Sequence, residues 1–64
     1  MMRLTLKAYR VNKGLTQESM ARELGVTKKT VGAWEKGKSM PSLDKIESIC
    51  CLLGVKYDDV QWKV

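Results

Sequence analysis

Four polar caps and four glycines divide this chain into helices. Thr5, Thr16, Thr27 and Ser42 each precede a run of helix-compatible residues, and Gly14, Gly25, Gly37 and Gly54 each follow one. A Ser or Thr hydroxyl at a helix start accepts from a first-turn backbone N–H that has no intrahelical partner. Glycine at the far end reaches the left-handed conformation that closes a helix. Between these marks the apolar residues recur at helical spacing. The first segment carries Leu6 and Tyr9, with Val11 at the margin; the second Met20, Ala21 and Leu24; the last Leu43, Ile46, Ile49, Cys50 and Leu53. A further short turn of helix is expected from Tyr57 to Trp62. No stretch alternates polar and apolar residues long enough for a strand. The predicted fold is all-α, a compact bundle of four to five short helices forming one domain over 1–64.

At 64 residues the core is small, since a chain of this size buries only about 60% of the surface its unfolded form exposes. A deep substrate cavity is not expected. Cys50 and Cys51 are adjacent, and there is no histidine. Neighbouring cysteines rarely pair, and two thiolates fall short of a tetrahedral zinc set. No Ser or Cys has an evident base beside it. The expectation is a non-enzyme with no cofactor and no metal, held together by helix packing alone or with a partner subunit. The start, Met1-Met2-Arg3-Leu4-Thr5, lacks the apolar run of a signal peptide. No stretch approaches the roughly 20 apolar residues of a membrane span. A soluble, cytoplasmic protein is expected.

The formal net charge is +5 and it is unevenly spread. Residues 1–41 carry nine Lys/Arg against three Glu, whereas residues 42–64 carry three Lys against four Asp/Glu. A basic body with a near-neutral tail suits one face that meets a polyanion, though charge alone fits a solvated lysine-rich surface equally well.

The stretch Thr16 to Gly37 separates these readings. Two helices joined through Gly25-Val26 have the geometry of a helix-turn-helix. Ala21 is small enough for close approach of the second helix, and Val26 and Val31 are its apolar anchors. Lys28, Lys29, Gly32, Ala33 and Lys36 are then left on the outside. Two lysines open this helix, where the macrodipole disfavours cations by a few tenths of a kcal/mol at an exposed site. DNA phosphates and the guanine acceptors N7 and O6 would offset that cost.

The segment LTQESMARELGVTKKTVGAWEKGKSMPS resembles the helix-turn-helix of the lambda-repressor and Cro (XRE-like) family. SLDKIESICCLLGV resembles that family's fourth helix and following turn, so the likeness covers about residues 5–60. It rests on Leu-Thr-Gln, Gly-Val-Thr, Trp-Glu-Lys-Gly and Pro-Ser-Leu at these spacings. It implies a small bacterial or phage-type transcriptional regulator whose recognition helix, 27–36, enters the major groove. Gln17 then matches a contact to the DNA backbone. Thr27 caps the recognition helix and touches phosphate or base. Lys28 and Lys29 face base edges, where a lysine donates to guanine or binds phosphate. Thr30 and Ala33 lie near the groove, Ala33 either against a thymine methyl or as filler. Lys36, Lys38 and Ser39 match phosphate contacts. In some members an arginine of the first helix pairs with a glutamate at the end of the third. Arg10 and Glu35 stand at matching positions, which implies a partly buried structural ion pair.

Trp34 is expected in the core, and Trp62 either beneath the core or at a dimer contact. Three departures from the family pattern stand out. Gly32 lies inside the recognition helix, at a cost of about 1 kcal/mol relative to alanine. Lys56 replaces the usual Ser or Thr cap, so the last helix is expected to fray. Cys51 and Leu52 form a patch that is either a subunit interface or merely apolar surface. The leading expectation is a Cro-like homodimer that binds a pseudo-palindromic double-stranded operator and has no room for an effector domain. The alternative is an antitoxin-like or other protein-interaction module with the same fold.

Overall fold

Each of the four expected caps opens a helix. The computed structural model describes residues 3–63, so Met1, Met2 and Val64, the ends of the expected 1–64 domain, lie outside the described residues. Helix α1 spans Leu6–Asn12, α2 Gln17–Leu24, α3 Lys28–Glu35 and α4 Leu43–Leu53. The hydroxyls of Thr5, Thr16, Thr27 and Ser42 accept from the backbone N–H three residues on, at 3.1, 3.0, 3.2 and 3.3 Å. At α2 the bond is reciprocated, because Ser19 Oγ accepts from the Thr16 N–H at 2.9 Å. This second bond satisfies another donor at the helix start.

The helix ends repeat one motif. At α2, Gly25 takes a φ of +71°, and the N–H of the next residue, Val26, donates back to Ala21 O at 2.9 Å. That six-to-one bond closes the helix and turns the chain sharply. Leu15, Lys38 and Val55 make the equivalent bonds to Arg10, Ala33 and Cys50 at 3.1, 3.0 and 3.1 Å. In three of these turns the residue after the glycine (Leu15, Val26 or Val55) packs against the core. After α3 the same position is Lys38, which is exposed. The turn that ends α3 thus presents a cation where the others bury an aliphatic side chain.

Met20, Val31, Ile49 and Val60 are fully enclosed, with Leu6, Ala21, Leu24, Trp34 and Leu53 packed around them. Two expected apolar positions are not buried. Val11 is 56% exposed, because it lies five residues from Leu6 and has rotated off the inner face of α1. Leu43 is 84% exposed. It sits in the first turn of α4, at the margin of the arc that Ile46, Ile49 and Leu53 bury.

The end of the chain also differs from expectation. Instead of a helix from Tyr57 to Trp62, a single 3-10 turn covers Tyr57–Asp59, followed by a short strand β2, Val60–Gln61. It pairs in parallel with β1, Leu4–Thr5, in the register Leu4 to Val60 and Thr5 to Gln61. The turn is not frayed at Lys56: Asp59 Oδ2 accepts from the Lys56 N–H at 2.9 Å, and the Asp59 N–H returns to Lys56 O at 3.0 Å. Tyr9 Oη donates to Asp59 O at 2.9 Å and ties α1 to this segment. Trp62 is half-buried against the core, donates to Tyr57 O at 3.1 Å and stacks on the Tyr57 ring.

Candidate nucleic-acid interface

The burial of α3 decides which of its side chains are free. Val31 is 0% and Trp34 6% exposed, so these two anchor the helix inward. Helical geometry then turns Lys28, Lys29, Gly32, Ala33 and Lys36 outward. Together with Lys38 they surround a shallow groove of about 410 Å³. Its floor is Gly32 and Ala33, its rims are the four lysines, and Gln17 of α2 closes one end. No carboxylate lines it. Six expected contact residues therefore share one surface: Gln17, Lys28, Lys29, Ala33, Lys36 and Lys38.

The other three sit apart. The Thr27 and Thr30 hydroxyls lie 2.9 Å from each other, and Thr27 also caps α3, so both begin with local partners. Ser39 lines a neighbouring groove with Lys38, Met40 and Trp62. It is exposed, one residue beyond Lys38.

The one carboxylate of α3 is withdrawn from this face. Glu35 points into the protein with its side chain 4% exposed and meets Arg10 of α1, whose side chain is 9% exposed. Arg10 Nε donates to Glu35 Oε2 at 2.6 Å, and Nη2 lies 3.4 Å from Oε1. Arg10 Nη1 also donates to Leu15 O at 2.6 Å, which fixes the guanidinium against the backbone. Removing one partner of such a pair costs about 3–5 kcal/mol, because the other charge stays buried alone. The pair locks α3 onto α1 and neutralises a charge that would repel a polyanion.

Three features of the site carried no clear signal in the sequence. Gln17 Nε2 donates to Glu35 Oε1 at 2.9 Å, a contact across 18 positions of chain. Lys7, with Thr16, Gln17, Lys28 and one carboxylate, Glu18, lines a second groove beside the first. Lys45 of α4 donates to Leu24 O at 2.8 Å and braces the end of α2 just before the turn. A cation there suits both the free carbonyl and the negative end of the helix.

The remaining chemistry is sparse. Burial pushes the Cys50 thiol above its ordinary value, and the Asp59 carboxylate adds to the shift. Cys51 is exposed, and both thiols are free. The Cys51-Leu52 patch lines a groove flanked by Glu23 and Glu47, far in character from the lysine groove. Among the described residues no group of three or more His, Cys, Asp or Glu side chains is placed to hold a metal ion. No described helix is long and apolar enough to cross a membrane.

Comparison with known proteins agrees with this geometry. Residues 6–60 match the helix-turn-helix family. The chain is 46% identical over 59 residues to the HTH-type transcriptional regulator MJ0272 of Methanocaldococcus jannaschii, covering 92% of this chain and 89% of that protein. It is 39% identical over 61 residues to the HTH-type transcriptional regulator YgzD of Bacillus subtilis, covering 95% and 92%. It is also 33% identical over 55 residues to the HTH-type transcriptional activator BcrR of Enterococcus faecalis, covering 86% of this chain and 27% of that protein. With four capped helices, an α2–α3 pair turning at Gly25 and this breadth of match, the chain belongs to the helix-turn-helix family of lambda-repressor and Cro type.

Proposed function

We propose that the chain is a small transcriptional regulator that binds double-stranded DNA sequence-specifically, with α3 in the major groove. One observation carries this reading: four lysines ring the outer face of α3 around a Gly-Ala floor, and the helix's only carboxylate is turned inward. Lys28 and Lys29 face base edges, while Lys36, Lys38 and Ser39 hold the backbone. Thr27 and Thr30 exchange their mutual bond for phosphate or base contacts. At the N-terminus of α2, Gln17 meets the adjacent phosphate, as free N–H groups at a helix start favour. Lys7 extends that contact.

The chain acts as a homodimer on a two-fold site. An eight-residue α3 is about 12 Å long, which spans roughly four base pairs at about 3.4 Å each. A four-base-pair element is too frequent for specificity against the 10⁶ or more competing sites of a genome. Two copies separated by about one helical turn, 34–36 Å, supply the missing information. The surface suited to the second copy contains Met40, Tyr57 and Trp62, which line one groove with Arg3, Gln61 and Lys63. Met40 is 47% and Tyr57 51% exposed. Occupancy of a promoter by such a Cro-like dimer represses transcription.

The test is selection of bound duplexes from a random pool at about 150 mM salt, where weak surface attraction is screened. Enrichment of a two-fold symmetric site is expected. A folded protein that enriches nothing would instead favour a protein-partner module.

A further inference from the structure

We propose that Glu35 is a positioning residue for DNA binding: clamped by Arg10, it holds the Gln17 carboxamide in the orientation that presents its remaining N–H to a phosphate. The proposal rests on the DNA reading above and concerns how the interface is prepared before DNA arrives. Glu35 has two acceptor oxygens. Oε2 accepts from Arg10 Nε at 2.6 Å, and Oε1 accepts from Gln17 Nε2 at 2.9 Å. Arg10 is itself held by Leu15 O at 2.6 Å, so the carboxylate cannot swing. A carboxylate only accepts, so the nitrogen of the Gln17 amide, not its oxygen, must face it. One N–H is thereby used and the other is left for a ligand.

Gln17 is well placed for that role. It is the first residue of α2, half-buried, and borders both the lysine groove and the groove that contains Lys7. The N–H groups of this first turn are short of intrahelical acceptors. Arg10 also answers an electrostatic difficulty. A bare carboxylate so near a phosphate site would repel the ligand, whereas a paired one orients Gln17 without a net negative charge. Fixing a rotamer-rich side chain before binding removes an ordering cost worth roughly 2- to 10-fold in affinity per copy.

The test is a cycle of four proteins: wild type, Q17A, R10M/E35M and the triple variant. Replacing both members of a buried ion pair by apolar side chains of similar size is often neutral or stabilising, so R10M/E35M is expected to melt cooperatively. Affinity for the selected duplex is measured as a function of salt. Q17A and R10M/E35M are each expected to lose roughly 2- to 10-fold per copy, and the triple variant no more than the larger of the two losses. The salt slope is expected to stay constant, because a neutral donor releases no counterion. If R10M/E35M binds like wild type, or if the two losses simply add, the positioning role is overturned while the DNA reading stands. If wild type binds no duplex, the DNA reading falls and this role of Gln17 with it. A second measurement needs neither DNA nor the variants. The Gln17 side-chain amide of the free wild-type protein should show restricted motion by ¹⁵N relaxation, and free averaging there would also overturn the proposal.

Discussion

Replacing Gly32 with alanine should make the protein more stable and a poorer DNA binder. Gly32 lies inside α3, and its φ is not in the positive region, so alanine fits its backbone. A Cβ built there has Gln17 Nε2 as its nearest neighbour, at 3.8 Å, which is ordinary van der Waals contact. Nothing need shift, and the helix-propensity gain of about 0.8–1.0 kcal/mol is retained. For a domain of this size that raises Tm by roughly 4–8 °C. The same methyl stands on the floor of the groove between the lysines, where the proposed reading brings base edges closest. Loss of one such contact costs about 1–3 kcal/mol, on the order of tenfold or more in Kd. Circular dichroism melting and fluorescence anisotropy on the selected duplex measure the two effects separately. A fall in Tm would refute the packing around Gly32. A rise in Tm with unchanged affinity would show that the floor of this groove does not approach the DNA.

Other consequences follow from the same geometry. Lys28→Ala with Lys29→Ala should abolish specific binding and, if both lysines neutralise phosphates, reduce the salt slope by about 1.8 per copy, while a melt shows stability unchanged or slightly raised as the macrodipole clash is removed. Tyr57→Glu should hold the chain monomeric in sedimentation equilibrium and weaken binding to the two-fold site far more than to a single half-site; a variant that still dimerises would move the interface elsewhere. Thiol alkylation followed by peptide mass mapping should modify exposed Cys51 first. Cys50 is partly buried, and burial with the Asp59 carboxylate raises its pKa and so lowers its thiolate fraction; reaction at Cys50 in near-neutral buffer before Cys51 would contradict the structure.

The helices were legible because their ends are written in single residues. A hydroxyl before and a glycine after each segment act within three or four positions, so local chemistry placed α1 to α4 to within a residue or two. The strands had no comparable signal. Two residues cannot show alternation, and the pairing of Leu4 with Val60 joins the two ends of the chain. Val60, fully buried, went unnoticed for the same reason. Leu43 misled in the opposite sense: it stands three residues from Ile46, but at the margin of the buried arc, where spacing alone does not separate buried from exposed. At the site, the outward face of α3 followed from Val31 and Trp34 as anchors. The Arg10–Glu35 pair, 25 positions apart, came only through family resemblance, since nothing local connects the two residues. The bond from Gln17 to Glu35 depends on how three helices meet and had no sequence signature.

The claim at the centre of this account is that the outer face of α3 reads DNA, and amide chemical-shift mapping on titration of the selected duplex tests it most directly. The account predicts the largest changes across residues 27–39, with a second cluster at residues 16–18, and little at the groove between Glu23 and Glu47. Changes concentrated around Glu23, Glu47 and Cys51, with α3 silent, would contradict it.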